Sequence, residues 1–131
     1  MLVLDASVLL EVLLSTALGK RSAERLLQGN EEFHAPHLLD VEFVQVLRKL
    51  ALKKSISVAD ARRILQEFQS LPITRHSHLE YQARIWEMRE SVSAYDGAYV
   101  ALAEGLDAPL MTCDAKLSRS HGHRANVVLL K

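Results

Sequence analysis

The stretch "SAYDGAYVALAEGLDAPLMTCD", residues 93 to 114, carries two elements and two acids in one breath. Tyr95, Tyr99, Val100, Leu102 and Ala103 recur at helical spacing, with Asp96 set among them on what reads as a buried face. "APLMTCD" then reads as a short strand that ends in Asp114. A helix leading into a strand that stops at an acid is half of a parallel α/β unit, and the rest of the chain supplies matching halves.

At the N-terminus "LVLD" (2 to 5) is a short buried strand ending in Asp5, and "ASVLLEVLLS" continues as a helix. "SAERLLQG" is a second helical segment, with Gly29 as its expected stop. "FHA" (33 to 35) is a strand before Pro36. "LLDVEFVQVLRKLALKK" places apolar residues at 39, 43, 46, 47 and 50, a helix of four turns or more. "SVADARRILQEFQSL" is another helix, introduced by Ser57 with Asp60 three residues on and ended by Pro72. "HLEYQARIWEMRES" is amphipathic, with Leu79, Ala83, Trp86 and Val92 on one side, a stripe for the core or a dimer interface. After Asp114 come a short helix "AKLSRS", a loop "HGH" and a final strand "NVVLL". Strands separated by helices of this length pair in parallel. The expectation is an α/β chain, a three-layer α/β/α domain with a central, mainly parallel sheet of four or five strands.

With 131 residues and 49% hydrophobic content, one domain spanning 1 to 131 can bury a core without disulfides. Cys113 is the single cysteine, which suits a reducing, cytoplasmic setting. The apolar opening run has no basic segment before it and is broken by Asp5 and Glu11, so it reads as neither a secretory signal nor a membrane span. Sixteen basic residues balance sixteen acidic ones, and global charge does not advertise a nucleic-acid binder. Their distribution is uneven. Lys20, Arg21 and Arg25 cluster, as do Arg48, Lys49, Lys53 and Lys54, and beyond Asp114 Lys116, Arg119, Arg124 and Lys131 occur with no acid.

Three of the six aspartates, Asp5, Asp96 and Asp114, fall where strands end or helices begin. Each alone is equally well an N-cap, worth about 1 kcal/mol. Together they are harder to explain as caps. The carboxyl ends of parallel strands line the ligand crevice of such sheets, and two carboxylates about 4 Å apart repel by roughly 4 kcal/mol at an effective dielectric of ~20. Converging acids need a cation or shared protons. Oxygen-only ligation suits Mg²⁺ or Mn²⁺, and such ions serve phosphodiester hydrolysis. The paired acids of receiver domains and the DxDx pattern of phosphatases are absent. His76-x-His78 and His121-x-His123 lack a third ligand pattern and read as loop or surface groups rather than zinc ligands.

"VLDASVLLEVLL", "APHLLDVEFVQVLRKL" and "SAYDGAYVALAEGLDAPLMTCDAKL", in this order and spacing, resemble the PIN-domain ribonucleases, specifically the VapC toxins of bacterial toxin-antitoxin pairs. The resemblance covers nearly the whole chain. It implies a catalytic quartet of Asp5, Glu42, Asp96 and Asp114, with Asp5, Asp96 and Asp114 as metal ligands and Ser7 and Thr112 as supporting hydroxyls. Asp40 rivals Glu42, but residues two apart on a helix point about 200° apart, and Asp40 is given the first-turn dipole role. Some relatives carry a further acid after the fourth position; this chain has none, which implies one firmly held Mg²⁺ or Mn²⁺. The resemblance further implies an RNA substrate of the transfer or ribosomal class, a VapB-like antitoxin, and a homodimer. A catalytically weak or inactive RNA- or protein-binding module of the same fold is the alternative, disfavoured because all four acids are present. Gly97, beside Asp96, is expected to leave room for substrate or antitoxin.

Overall fold

The computed structural model describes residues 1–27 and 29–131. Five strands, β1 (Leu2–Leu4), β2 (Phe33–Pro36), β3 (Ile73–His76), β4 (Leu110–Thr112) and β5 (Val127–Leu129), form one sheet in the order β3-β2-β1-β4-β5. Every pairing is parallel. The helices are α1 (Ala6–Leu13), α2 (Ala17–Leu27), α3 (Leu38–Leu52), α4 (Val58–Gln69), α5 (Gln82–Glu87), α6 (Ala94–Leu106) and α7 (Ala115–Ser118), with one 3₁₀ turn at Leu79–Tyr81. The expected three-layer architecture is therefore present. α1, α3 and α4 pack together, α5 packs on α6, and α6 lies against β1, β2 and β4.

Local chemistry accounts for the boundaries. Asp5 caps α1 by accepting from Val8 N–H, Ser57 caps α4 through Asp60 N–H, and Ser93 caps α6 through Asp96 N–H. Asp107, left-handed at φ 49°, closes α6. The stop expected for α2 at Gly29 turns on Gln28, which lies outside the described residues. Val3, Leu4, Val8, Leu39, Phe43, Val100, Leu102 and Leu110 form the centre of the core. Phe43 and Phe68 stack at 4.2 Å between ring centroids and fasten α3 to α4.

Three expectations are corrected. β3 did not stand out in the sequence, because only Ile73 of its four residues is buried and it is an edge strand. The side of α5 bearing Leu79, Ala83 and Trp86 does not face the core; Leu79 is 74% and Trp86 67% exposed, while Tyr81, Ile85, Met88 and Val92 pack inward. A six-residue helix entered from a 3₁₀ turn does not keep one phase across the stretch. Tyr95 likewise points outward, whereas Gly97 through Ala103 are all buried.

Candidate functional site

Asp5 leaves the end of β1 next to β4, where the strand order reverses direction. That reversal opens the crevice at the carboxyl edge of a parallel sheet. Its carboxylate is 8% exposed and held on both oxygens. Oδ1 accepts from Ser7 Oγ at 2.6 Å and from Val8 N at 3.2 Å, and Oδ2 accepts from Thr112 Oγ1 at 2.5 Å. The two hydroxyls are themselves aimed by backbone that leads to the next acid. Ser7 Oγ accepts from Cys113 N at 2.9 Å, and Thr112 Oγ1 accepts from Asp114 N at 3.0 Å. Ser7 and Thr112 thus tie the end of β1 to the end of β4.

Asp114 stands exposed at the start of α7, with Oδ1 accepting from Lys116 N at 2.9 Å. Asp96 sits in the first turn of α6, half-buried, its backbone N–H given to Ser93 Oγ at 3.1 Å and its carboxylate left out of the capping. Glu42 projects from α3, and its Oε1 accepts from Tyr99 O–H at 2.6 Å. Tyr99 is 2% exposed and lies one turn beyond Asp96.

The acids act on one another. Burial pushes the Asp5 carboxyl above its ordinary range, against the pull of the Ser7 and Thr112 hydroxyls. Burial also raises Glu42, the Tyr99 hydrogen bond opposes this, and the Asp5 and Asp96 charges add to it. Asp96 is raised by burial and then by Asp114 and Asp5, with Lys116 pulling the other way. Asp5, Glu42, Asp96 and Asp114 therefore share one electrostatic neighbourhood. Among the described residues no three His, Cys, Asp or Glu side chains close around a single point as a finished metal cage. Carboxylates that repel spread apart and turn to hydroxyls and N–H groups, as Asp5 and Asp114 do here. An all-oxygen donor set with surplus negative charge fits a hard cation such as Mg²⁺ or Mn²⁺.

Asp40 is drawn away from the crevice. Its carboxylate takes Arg75 Nη2 at 2.9 Å and Arg75 Nε at 3.2 Å, pinning α3 to β3. His76 Nε2 lies 2.8 Å from His34 Nδ1, and His78 Nε2 accepts from Leu38 N at 3.0 Å, so this pair is spent separately. His123 Nε2 pairs with Ser120 Oγ at 2.8 Å. A Cβ on Gly97 would meet Ile85 Cγ2 at 3.3 Å and Val92 Cγ2 at 3.7 Å, so the room expected there is already filled by the packing of α5 and its turn. Sequence reading missed the role of Tyr99. Its signal was a phenol in the most apolar part of α6, three residues from an acid, where a buried hydroxyl demands a partner.

The family model for the PIN domain matches residues 2–121. The chain belongs to the PIN-domain proteins. Within that class it is a member of the VapC ribonuclease family: it is 41% identical over 130 residues to ribonuclease VapC12 of Mycobacterium tuberculosis, covering 99% of both chains. Among solved structures, PAE2754 from Pyrobaculum aerophilum superposes with a TM-score of 0.68 at 22% identity, over 96% of this chain and 81% of that one. VapBC2 from Rickettsia felis, bound to a DNA fragment from its promoter, gives 0.67 at 13% identity, over 99% and 98%. These two likenesses concern the fold.

Proposed function

We propose that this chain is a metal-dependent endoribonuclease toxin of a VapBC-type pair, a cytoplasmic hydrolase of RNA phosphodiester bonds. The observation that carries it is Asp5, buried at the sheet switch point with both oxygens oriented by Ser7 and Thr112 and coupled to Glu42 and Asp96. Asp5, Asp96 and Asp114 would hold one Mg²⁺ or Mn²⁺. When bound, such an ion lowers the pKa of its water and neutralises charge at the scissile phosphate. Ser7 and Thr112 keep the Asp5 carboxylate facing the crevice. Tyr99 fixes Glu42, which ligates the ion or accepts a proton from the attacking water. Flanking cations grip the RNA, whose transfer or ribosomal class accords with the family.

A VapB-like antitoxin is the expected inhibitor, since the solved neighbours include VapBC2 and a toxin-antitoxin complex from Klebsiella pneumoniae. A homodimer is supported by the apolar surface left open: Val41, Val44, Leu79, Trp86 and Tyr95 are exposed, and Leu38, Ile85, Trp86, Val92 and Tyr95 line a cavity of about 560 Å³. Cleavage of structured RNA with Mg²⁺, with EDTA as control, tests the activity. Asp5→Asn and Asp96→Asn are expected to stay folded and lose at least 10²-fold in rate, on the order of ~3 kcal/mol of barrier. Folded variants that cleave at the parent rate would overturn the assignment.

A further inference from the structure

A second concavity borders the acidic crevice and carries the opposite charge. It measures about 500 Å³, within the roughly 300–1,000 Å³ of small-ligand sites. Asp96 belongs to its lining, and the other walls bring Arg89 from the turn after α5 and Lys116 and Arg119 from α7 and its end. Glu90 lines it as well, with the polar side chains of His121, Ser93 and Ser120.

The three cations are uncommitted. Among the described residues, the ion pairs of this chain engage Arg63, Arg75, Arg84, His34 and the N-terminus, and none engages Arg89, Lys116 or Arg119. Arg89 is also held in place. Its guanidinium lies 4.6 Å from the Trp86 ring centroid, and Nη1 donates to Trp86 O at 3.0 Å. In a chain whose charges sum to zero, three unpaired cations around one cavity that abuts an acidic site call for an anionic ligand. A polyanion meeting the crevice is repelled by the carboxylates and needs attraction close by. Lys116 supplies it near Asp96, whose charge it feels.

We infer that the cavity between Arg89, Lys116 and Arg119 is a subsite for the RNA phosphate that flanks the scissile one, entered by the strand as it leaves Asp96. It rests on the reading of RNA as substrate. The cations hold the flanking phosphodiester as point charges and a guanidinium fork. Ser93 and His121 offer donors to sugar and phosphate oxygens. The site reads backbone rather than sequence, since nothing in its charged walls distinguishes one base from another.

The test is the salt dependence of binding, measured by anisotropy of a labelled single-stranded RNA on the full chain in EDTA, where no cleavage interferes. Each phosphate contact contributes a slope of about −0.7 in log K against log salt. Arg119→Gln and Lys116→Gln alter exposed side chains, and each is expected to weaken binding several-fold and flatten the slope by about 0.7. Arg62→Gln removes the same charge from the exposed face of α4 and is expected to keep the parent slope. Trp86 is the only tryptophan, so RNA arriving at Arg89 changes the intrinsic emission, and Arg89→Gln abolishes that change. Parent slopes in both Lys116→Gln and Arg119→Gln overturn the subsite, even if the parent cleaves RNA. A parent that binds RNA with the expected slopes but does not cleave it with Mg²⁺ overturns the nuclease reading and leaves the subsite standing.

Discussion

Thr112 separates volume from hydrogen bonding at the heart of the site. It is fully buried, and its hydroxyl both donates to Asp5 Oδ2 and accepts from Asp114 N. Thr112→Val keeps the shape and deletes both bonds. A hydrogen bond to a charged group is worth about 1.5–3 kcal/mol and a neutral one about 0.5–1.5; a methyl in place of the hydroxyl returns up to about 0.8. The net expected loss is about 2–3 kcal/mol. Thr112→Ser keeps both bonds and deletes one buried methyl, for about 1 kcal/mol. The smaller side chain is therefore expected to be the more stable one. Urea denaturation at neutral pH in EDTA measures the order, and Mg²⁺-dependent cleavage is expected to follow it, near the parent in Thr112→Ser and reduced more than 10-fold in Thr112→Val. Losing the Thr112 hydroxyl also lets burial push the Asp5 carboxyl further up. A raised carboxyl favours the fold when protonated, so Thr112→Val should recover stability as pH falls through that raised value, more than the parent does. A Thr112→Val protein as stable and as active as Thr112→Ser would refute the idea that the hydroxyl, and not its bulk, orients Asp5.

Two further perturbations probe the scaffold. Glu104 is held down to about 2 by Arg84, which reaches it through Nε at 2.7 Å and Nη2 at 3.0 Å, and by Arg124 N–H. A depressed carboxyl stabilises above its unfolded value, so Arg84→Met should cost about 2–3 kcal/mol at neutral pH, discounted for solvent at Arg84, and the gap to the parent should narrow as pH falls from about 4.5 toward about 2 in denaturation curves. Gly19 lies where a Cβ would sit 1.8 Å from the Glu11 carbonyl oxygen, whereas one at Gly97 would meet Ile85 Cγ2 at 3.3 Å. Gly19→Ala should therefore lower stability by about 2–3 kcal/mol or more by prying α2 off α1, and Gly97→Ala by less than about 1, as read from melting temperatures.

What was legible in the sequence follows from how each element signals itself. β1, β2, β4 and β5 are apolar runs flanked by punctuation, and α3, α4 and α6 show long helical periods with Ser caps or buried faces. β3 has one buried apolar residue and takes its place by pairing with β2, Phe33 with Ile73, far along the sequence, which no local pattern reports. The acids at strand ends were legible because topology forces those ends together. Tyr99 was not, because its partner Glu42 is 57 residues away and the bond depends on how α6 lies against the sheet. Arg89 escaped for the same reason, since it meets Lys116 and Arg119 only across the cavity.

Cap and ligand were posed as rival roles for the aspartates, yet at Asp5 and Asp114 the carboxylate that caps a helix is also the one proposed to hold the ion. Asp5 Oδ1 accepts from Val8 N while Oδ2 takes the Thr112 hydroxyl, and Asp114 Oδ1 accepts from Lys116 N at the start of α7. A crevice that gathers several carboxylates carries a repulsion of several kcal/mol, comparable with the whole stability of a domain this size. Each local N–H or O–H returns part of it, about 0.3–1 kcal/mol for a helix start and about 1.5–3 for a donor to a charged oxygen. Asp5 collects the most such donors and is the most deeply buried of the four; Asp96, whose carboxylate makes no cap bond, is left half open beside Lys116. Capping is thus one means by which the fold tolerates several acids at one sheet edge, and Asp5, the acid with the most donors, is the one it buries most deeply.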